Sequence, residues 1–283
     1  MNRVSHQVLL PTALAAGLGF AVQPAADAAI LANESFEYTG GSFIQGQNGG
    51  TGFSSAWLGA PNFFAQDARA VPGLSYPGYA VSGQSAEMSA ANFRDHHRFL
   101  DVDPSGPFTD YLDGSGNIGA DGTELWISYL GADNTTSLGG GKLDLRLHRD
   151  LALASPNAEP PGGNIVLQLE LDDLNGVTPD LLVAHIQFGA GQDTVTIYIN
   201  PDLSQAPTGG SVLDLASTVD VSFDAIEMAG EYFANNPIPS GTFDEIRIAE
   251  TATDIGFVIP EPSSLLLASA GLILAARRRR ILG

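Results

Sequence analysis

Apolar and polar residues alternate through the middle of the chain. In Lys142–His148 leucines occupy every second position, with polar side chains between them. Four further segments have the same period of two: 167–172, 182–188, 194–199 and 219–224. This period is typical of a β-strand with one buried face. Ala86–Phe93 is the one internal segment for which we expect a short helix.

Turn-forming residues separate these segments. Runs rich in Asp, Asn, Gly and Pro occupy 172–176, 189–193 and 200–202, where they end one strand before the next begins. Strands of this kind stack as two antiparallel sheets. The sequence therefore predicts an all-β domain, a two-sheet antiparallel β-sandwich over residues 29–258.

Composition narrows the function classes. The chain has no cysteine, which excludes disulfides, zinc–thiolate sites and cysteine catalysis. Its 12 basic and 32 acidic residues give a formal charge of −20. Such a charge excludes nucleic acid as a partner, because phosphate contacts require a basic surface. It also leaves many carboxylates available for Ca²⁺, the one cofactor that the sequence suggests.

The N-terminus has the features of a secretory signal peptide. Arg3 precedes an apolar run over Val8–Phe20, and Ala26-Asp27-Ala28 is a small-x-small cleavage site. This order predicts that residues 1–28 form a signal helix, which the export machinery removes before Ala29.

The C-terminus, residues 259–283, has three parts in order. Pro260-Glu261-Pro262 comes first, a short apolar run covers Ser263–Ala276, and Arg277–Arg280 follow. An apolar helix followed by arginines is typical of a segment that enters the membrane and stops there. This tail resembles the PEP-CTERM sorting signal of exported bacterial proteins. The resemblance implies processing by exosortase at a bacterial cell surface or extracellular matrix, after transient membrane anchoring. The sorting residues that it implies are Pro260, Glu261, Pro262, Arg277, Arg278, Arg279 and Arg280.

A second resemblance covers the domain between the two ends. It rests on segments 33–38, 46–53, 193–201 and 243–248, together with Trp57. These are similar to the concanavalin A-like, laminin-G-like jelly-roll domains found in PEP-CTERM proteins. The resemblance implies a curved two-sheet sandwich whose concave face or edge loops often bind carbohydrate. It does not imply catalysis.

One pair of carboxylates is a candidate for chemistry on such a fold. Glycosidases of this type use a Glu-x-Asp-x-x-Glu strand motif, and Glu170 and Asp172 match its first two positions. Their spacing places both on one face of a strand. The third position is Asn175, and glycoside hydrolysis needs two carboxyl groups that flank the bond. We therefore expect no catalytic residue here and keep Glu170 and Asp172 as candidate ligand-binding residues.

The remaining candidate binding residues belong to less specific sequence patterns. Asp113 and Asn117 stand in a Gly-rich acidic stretch whose residue types suit calcium, although the EF-hand spacing is missing. Trp126 is a candidate platform for a sugar ring. The densest titratable cluster is Arg94–Arg98. Its adjacent histidines point to opposite sides of a strand and are therefore poor joint ligands for one metal, so a solvated loop or strand edge is expected in place of a metal site. His148 and His185 are expected at the surface.

These features favour an exported, non-enzymatic protein with a structural or adhesive role in extracellular polysaccharide. The alternative is a lectin-like carbohydrate-binding module, assisted by calcium. A glycoside hydrolase that uses Glu170 and Asp172 is the third and least favoured hypothesis. The expected partners are exosortase, the export machinery, the membrane through the tail before processing, and polysaccharide, with no nucleic acid.

Overall fold

The computed structural model describes residues 29–59, 68–88, 96–133, 141–149, 164–174, 178–213, 220–231 and 241–259. The predicted signal peptide at 1–28 lies outside the described residues. So do the predicted C-terminal helix and its sorting residues at 260–283, as well as Asn175.

The described residues form thirteen β-strands and one 3₁₀ turn at Thr109–Tyr111. The strands in chain order are β1 Ile30–Glu34, β2 Leu58–Gly59, β3 Arg69–Pro72, β4 Gln84–Met88, β5 His96–Phe99, β6 Glu124–Asp133, β7 Gly141–Arg149, β8 Asn164–Leu174, β9 Asp180–Gln187, β10 Thr194–Ile199, β11 Ser211–Val212, β12 Ala225–Glu231 and β13 Gly241–Ala249.

These strands build two antiparallel sheets. The larger has eight strands in the order β11-β10-β9-β6-β13-β4-β3, with β1 also paired to β13. The smaller has five strands in the order β2-β5-β12-β7-β8. Every pairing between these strands is antiparallel. The predicted all-β, two-sheet antiparallel sandwich is confirmed. Within the described part of the chain, no helix has the length and apolar character needed to span a bilayer.

The main core lies between the two sheets. The alternating leucines of β7 and β8 point into it, as their period of two predicts. On β6, Leu125, Ile127 and Tyr129 meet them from the opposite sheet, and the Tyr129 hydroxyl donates to the carbonyl of Leu169 at 2.9 Å. Because apolar side chains come from both inner faces, this core holds the sheets together.

A second apolar cluster covers the other face of the eight-stranded sheet. Trp126, Leu130 and Val183 project from β6 and β9 into it, and Leu203 and Phe257 close it from two loops. Strands β6 and β9 are therefore buried on both faces. The alternation in the sequence predicted burial on one face only, because it does not show which loops fold back over a sheet.

Two predicted elements are wrong. Segment 219–224 does not form a strand where it is described: β12 begins at Ala225, and Phe223 makes only an isolated bridge to Ile118. The Val221 amide instead donates to the Asp193 carboxylate at 2.6 Å. The helix expected at Ala86–Phe93 is wrong at its start, because Ala86–Met88 belong to β4 and pair with β3 and β13. Tertiary pairing here overrides local helix propensity. Residues 89–93 lie outside the described residues.

Candidate functional site

A row of polar side chains crosses the five-stranded sheet on the face opposite the main core. The register pairs His97 of β5 with Glu227 of β12, Glu227 with Arg146 of β7, and Arg146 with Gln168 of β8. Residues paired across adjacent strands point to the same face of a sheet. We refer to these four residues, with Asp144, His148 and Glu170 beside them, as the polar face.

Arg146 is the central charge of the polar face. Its Nη1 donates to Glu227 Oε1 at 3.0 Å, and its Nη2 lies 3.4 Å from Asp144 Oδ2. His148 Nε2 lies 3.0 Å from the second oxygen of Glu227. Each charge therefore has a partner of opposite sign or a proton donor, which compensates for the desolvation of the ions.

The partners of Glu170 complete the row at β8. The Gln168 amide donates to Asp144 Oδ2 at 2.8 Å and contacts Glu170 Oε2 at 3.3 Å. Glu170 is half-buried on the polar face. Asp172 is two residues further along β8, as predicted, but its side chain lies outside the described residues. The structure thus places Glu170 in a hydrogen-bonded network, and the pairing of Glu170 with Asp172 stays a prediction.

Three of the seven residues of the polar face are closed to solvent, and the other four are half-buried. Asp144 is 0% exposed, Glu227 2% and His148 4%. The prediction that His148 is a surface group is therefore wrong. Period-two alternation correctly placed Asp144, Arg146 and His148 on one face, but polarity alone does not reveal that the face is covered.

Electrostatics fix the protonation of this network. Burial alone would raise the pKa of Glu227, but the hydrogen bond and charge of His148, together with Arg146, outweigh it and lower the pKa. Burial lowers the pKa of His97, with His148 and His96 adding to that effect against the attraction of Glu227. On the polar face, the ionised form of Glu227 is therefore favoured beside the Arg146 guanidinium, and the neutral form of His97 is favoured.

Trp126 occupies a different environment from that expected of a sugar platform. Its ring is 6% exposed and stacks on His185 with centroids 4.0 Å apart. Tyr198 and Phe257 also contact it, within the second apolar cluster. A ring enclosed in this way presents no free face to a ligand. His185, expected at the surface, is mostly covered and pairs with Glu124 at 3.1 Å.

Asp113 and Asn117 form a turn. Asp113 Oδ1 accepts from the amides of Ser115 and Asn117 at 2.7 and 3.0 Å, and Oδ2 accepts from Ser222 Oγ at 2.8 Å. Burial raises the pKa of Asp113, but these hydrogen bonds outweigh it and lower the pKa. Both oxygens thus serve protein donors. Within the described residues, no three His, Cys, Asp or Glu side chains are grouped so as to hold a metal.

The described part of the histidine–arginine cluster, His96–Arg98, is not a solvated loop, contrary to the prediction, and residues 94–95 lie outside the described residues. Strand β5 lies inside the five-stranded sheet, and both His96 and Arg98 are 1% exposed. The Arg98 guanidinium forms an ion pair with the buried Glu34 and also donates to Asn48 Oδ1 at 2.8 Å. Its planar cation stacks over the Phe53 ring at 4.1 Å.

Glu34 joins the segments on which the family resemblance rests. Its carboxylate accepts from the Phe36 amide at 2.8 Å, the Tyr38 hydroxyl at 2.8 Å and Trp57 Nε1 at 2.9 Å, besides Arg98. These contacts bring 33–38, the 46–53 loop and Trp57 together around one ion pair. That part of the resemblance therefore corresponds to a structural network.

Segment 243–248 contains two adjacent buried carboxylates. Asp244 and Glu245 are both 0% exposed, at a bulge of β13 opposite β6. Asp244 Oδ2 accepts from the Leu74 amide at 2.7 Å, and Glu245 accepts from Ser82 and Arg247. These bonds fix both ends of the 74–82 loop. No pattern along the sequence indicated that Asp244 and Glu245 are buried.

Comparisons with solved structures give low similarity. One similar structure is that of botulinum neurotoxin type C, a toxin whose cell entry depends on interaction with two ganglioside molecules. It has 10% identity and a TM-score of 0.42, over 78% of this chain and 47% of that one. The endo-1,3-beta-glucanase of Streptomyces sioyaensis has 13% identity and a TM-score of 0.35, over 81% and 99%. A GH131 beta-glucanase catalytic domain from Podospora anserina has 8% identity and a TM-score of 0.39, over 70% and 85%. We transfer no function from them.

A search of curated proteins gave no match. A family model does match the C-terminus: residues 258–280 fit the PEP-CTERM protein-sorting motif. The match begins one residue after Phe257, which is 1% exposed in the second apolar cluster. This confirms the resemblance drawn from Pro260-Glu261-Pro262 and the arginines. The chain is therefore an exported, sorted protein with a β-sandwich followed by a PEP-CTERM sorting motif.

Proposed function

We propose that this chain is a non-catalytic protein of the bacterial cell surface or extracellular matrix, with a structural or adhesive role in extracellular polysaccharide. The observation that supports this most is the sorting motif at 258–280. It directly follows a domain whose last buried residue is Phe257, so the motif extends from a closed fold. Exosortase processes this tail, and the membrane holds the chain by it until processing.

Glu227 of the polar face does not have the property that glycoside hydrolysis requires of its acid. Glycoside hydrolysis needs one carboxyl group with a raised pKa as acid. On this face the pKa of Glu227 is lowered, so its carboxyl group is ionised at neutral pH. The buried carboxyl with a strongly raised pKa, Asp244, instead fixes the 74–82 loop through the Leu74 amide.

The proposed role of the C-terminal tail in processing and surface retention is tested by removing the tail in the native host. We expect a chain truncated after Ile259 to be exported but not processed, and to leave the cell surface. The control replaces Glu37, an exposed residue of the sandwich, by Gln and leaves the tail intact. Immunoblots of cell, surface and medium fractions report size and location. Unchanged processing and surface retention of the truncated chain would contradict the proposal.

A further inference from the structure

A cleft of about 470 Å³ opens where three segments meet beside the eight-stranded sheet. Its walls are residues 75–77, residues 178–180 at the start of β9, and residues 200–203 after β10. The cleft is separate from the polar face, since it is built on the other sheet. Its volume lies in the range of small-molecule sites in proteins.

Tyr76 supplies the aromatic wall of this cleft. The side chain is half-buried and packs on the second apolar cluster, which also includes Leu203 from the opposite wall. The Tyr76 side chain is thus supported by that cluster and also lines the cleft. A tyrosine ring of this kind offers a flat apolar surface with a polar end.

Three polar groups converge on the same cleft. Asp180, Asn200 and Asp202 line it together with Tyr76. Burial raises the pKa of Tyr76, and the negative charges of Asp180 and Asp202 add to that effect. Asn200 Nδ2 donates to Asp180 Oδ1 at 2.5 Å, and Asn200 Oδ1 accepts from the Leu181 amide at 2.9 Å. Acceptors and an amide donor are therefore set beside the ring.

Hydrogen bonds fix the walls of the cleft. Asp202 Oδ1 accepts from the amide and hydroxyl of Ser204, at 3.0 and 2.6 Å, and its Oδ2 accepts from Gln205 Nε2 at 3.1 Å, so this carboxylate orders the wall. Asn200 has a φ of +49°, an uncommon conformation for a non-glycine residue that asparagine tolerates better than most. The Tyr76 loop is fixed by the Leu74 amide on the buried Asp244. A ligand would meet walls that are already ordered, which lowers the entropic cost of binding.

The charges of the cleft select among ligand classes. Its ten lining residues include two aspartates and no lysine, arginine or histidine, so an anionic ligand would be repelled. Carboxylates accept hydrogen bonds from hydroxyl groups, and the asparagine amide both donates and accepts. An aromatic surface beside such groups suits a ring that has an apolar face and hydroxyl edges.

We infer that this cleft binds one or two residues of a neutral saccharide, with the ring stacked on Tyr76 and its hydroxyl groups held by Asp180 and Asn200. The inference rests on the proposed role in extracellular polysaccharide and assigns that role to a site. It places recognition on the eight-stranded sheet and not on the polar face.

The test is a binding titration of the full chain, purified in mild detergent, against laminarin, mannan and dextran as neutral probes and alginate as an anionic one. We expect at least one neutral probe to bind, and Tyr76→Ala and Asp180→Ala each to lower its affinity about ten-fold or more. Tyr76→Phe keeps the ring and retains most of the affinity. Phe43→Ala removes an aromatic that is 39% exposed outside the cleft and leaves the affinity unchanged.

The outcomes separate this inference from the proposed function. Binding by the wild type that survives both cleft substitutions would overturn the cleft and leave the polysaccharide role in place. Tighter binding of alginate than of every neutral probe would overturn the neutral ligand. A wild type that binds no probe would overturn both. Thermal unfolding of each variant shows whether a lost affinity reflects lost structure.

Discussion

At the residue scale, the buried ion pair of Glu34 and Arg98 organises the N-terminal third of the sandwich. Glu34 accepts hydrogen bonds from three further groups, and Arg98 donates to the Ser55 carbonyl at 2.7 Å. Two ions are tolerated at about 1% exposure because every contact is satisfied. Loss of one partner leaves the other charge buried without compensation.

The first prediction concerns this pair. Glu34→Gln should lower the free energy of unfolding by about 3–5 kcal/mol, because it leaves the Arg98 cation buried without its counter-ion. Denaturant unfolding of the two proteins measures the difference. Glu37→Gln, three residues away and exposed, should change stability by less than about 0.5 kcal/mol. Equal losses in both variants would contradict a special role for the pair.

The second prediction concerns pH. Burial, with the like charge of Glu245, raises the pKa of Asp244 to about 8 against the opposing charge of Arg247. Because the folded pKa lies above the unfolded value, this group contributes its full stability at low pH and loses it as pH rises through about 8. Stability of the wild type relative to Asp244→Asn should therefore fall between pH 5 and pH 9.

The asparagine variant is a matched control, because its side chain accepts the Leu74 amide but does not ionise. Tyr79, Glu245 and Arg247 are the other titratable groups near Asp244, and they are the same in both proteins. Thermal melts at each pH give the comparison. A constant difference between the two proteins across this range would show that Asp244 does not titrate there.

At the element scale, sequence periodicity located four of the thirteen strands. The predicted 142–148, 167–172, 182–188 and 194–199 correspond to β7, β8, β9 and β10. Strand β13 is among those that it missed, because β13 contributes Asp244, Glu245 and Arg247 to a buried bulge and so shows no alternation. Buried polar networks of this kind follow from tertiary contacts that a local pattern does not contain.

The candidate sites show the same division. Glu170 was found because β8 alternates cleanly, but its network depends on Arg146 and Glu227 from two other strands. The cleft around Tyr76 joins three loops that lie far apart in the sequence. Residue type and spacing indicated neither the Glu170 network nor the Tyr76 cleft, because each depends on which strands and loops become neighbours in the fold.

The third prediction concerns two glycines of the 46–53 loop. Gly46 and Gly52 both have a positive φ, near +79° and +78°. A Cβ at Gly46 would meet nothing within 4 Å, whereas one at Gly52 would lie 2.1 Å from the Leu31 carbonyl oxygen on β1. Gly46→Ala should cost only the left-handed strain, about 1–2 kcal/mol.

Gly52→Ala adds a clash with the β1 backbone to the same strain. It should therefore destabilise the chain clearly more than Gly46→Ala, measured by denaturant unfolding under the same conditions. A smaller or equal effect at Gly52 would mean that the loop does not pack against β1 as closely as the structure shows.

At the scale of the whole molecule, a sorted, exported chain has a sandwich with strongly negative composition and an ordered cleft. The formal charge of −20 limits direct contact with anionic polymers. A neutral saccharide meets no such barrier. The charged groups of the polar face pair with one another across strands β7 and β12 of the five-stranded sheet.

The most direct test of the proposed role is to incubate the full chain with the extracellular polysaccharide of its own host, and to record binding and newly formed reducing ends in the same sample. Saturable binding with no new reducing ends, unchanged by a calcium chelator, is the expected result. Release of saccharide fragments that stops on Glu170→Gln would contradict the non-catalytic role and show a glycoside hydrolase.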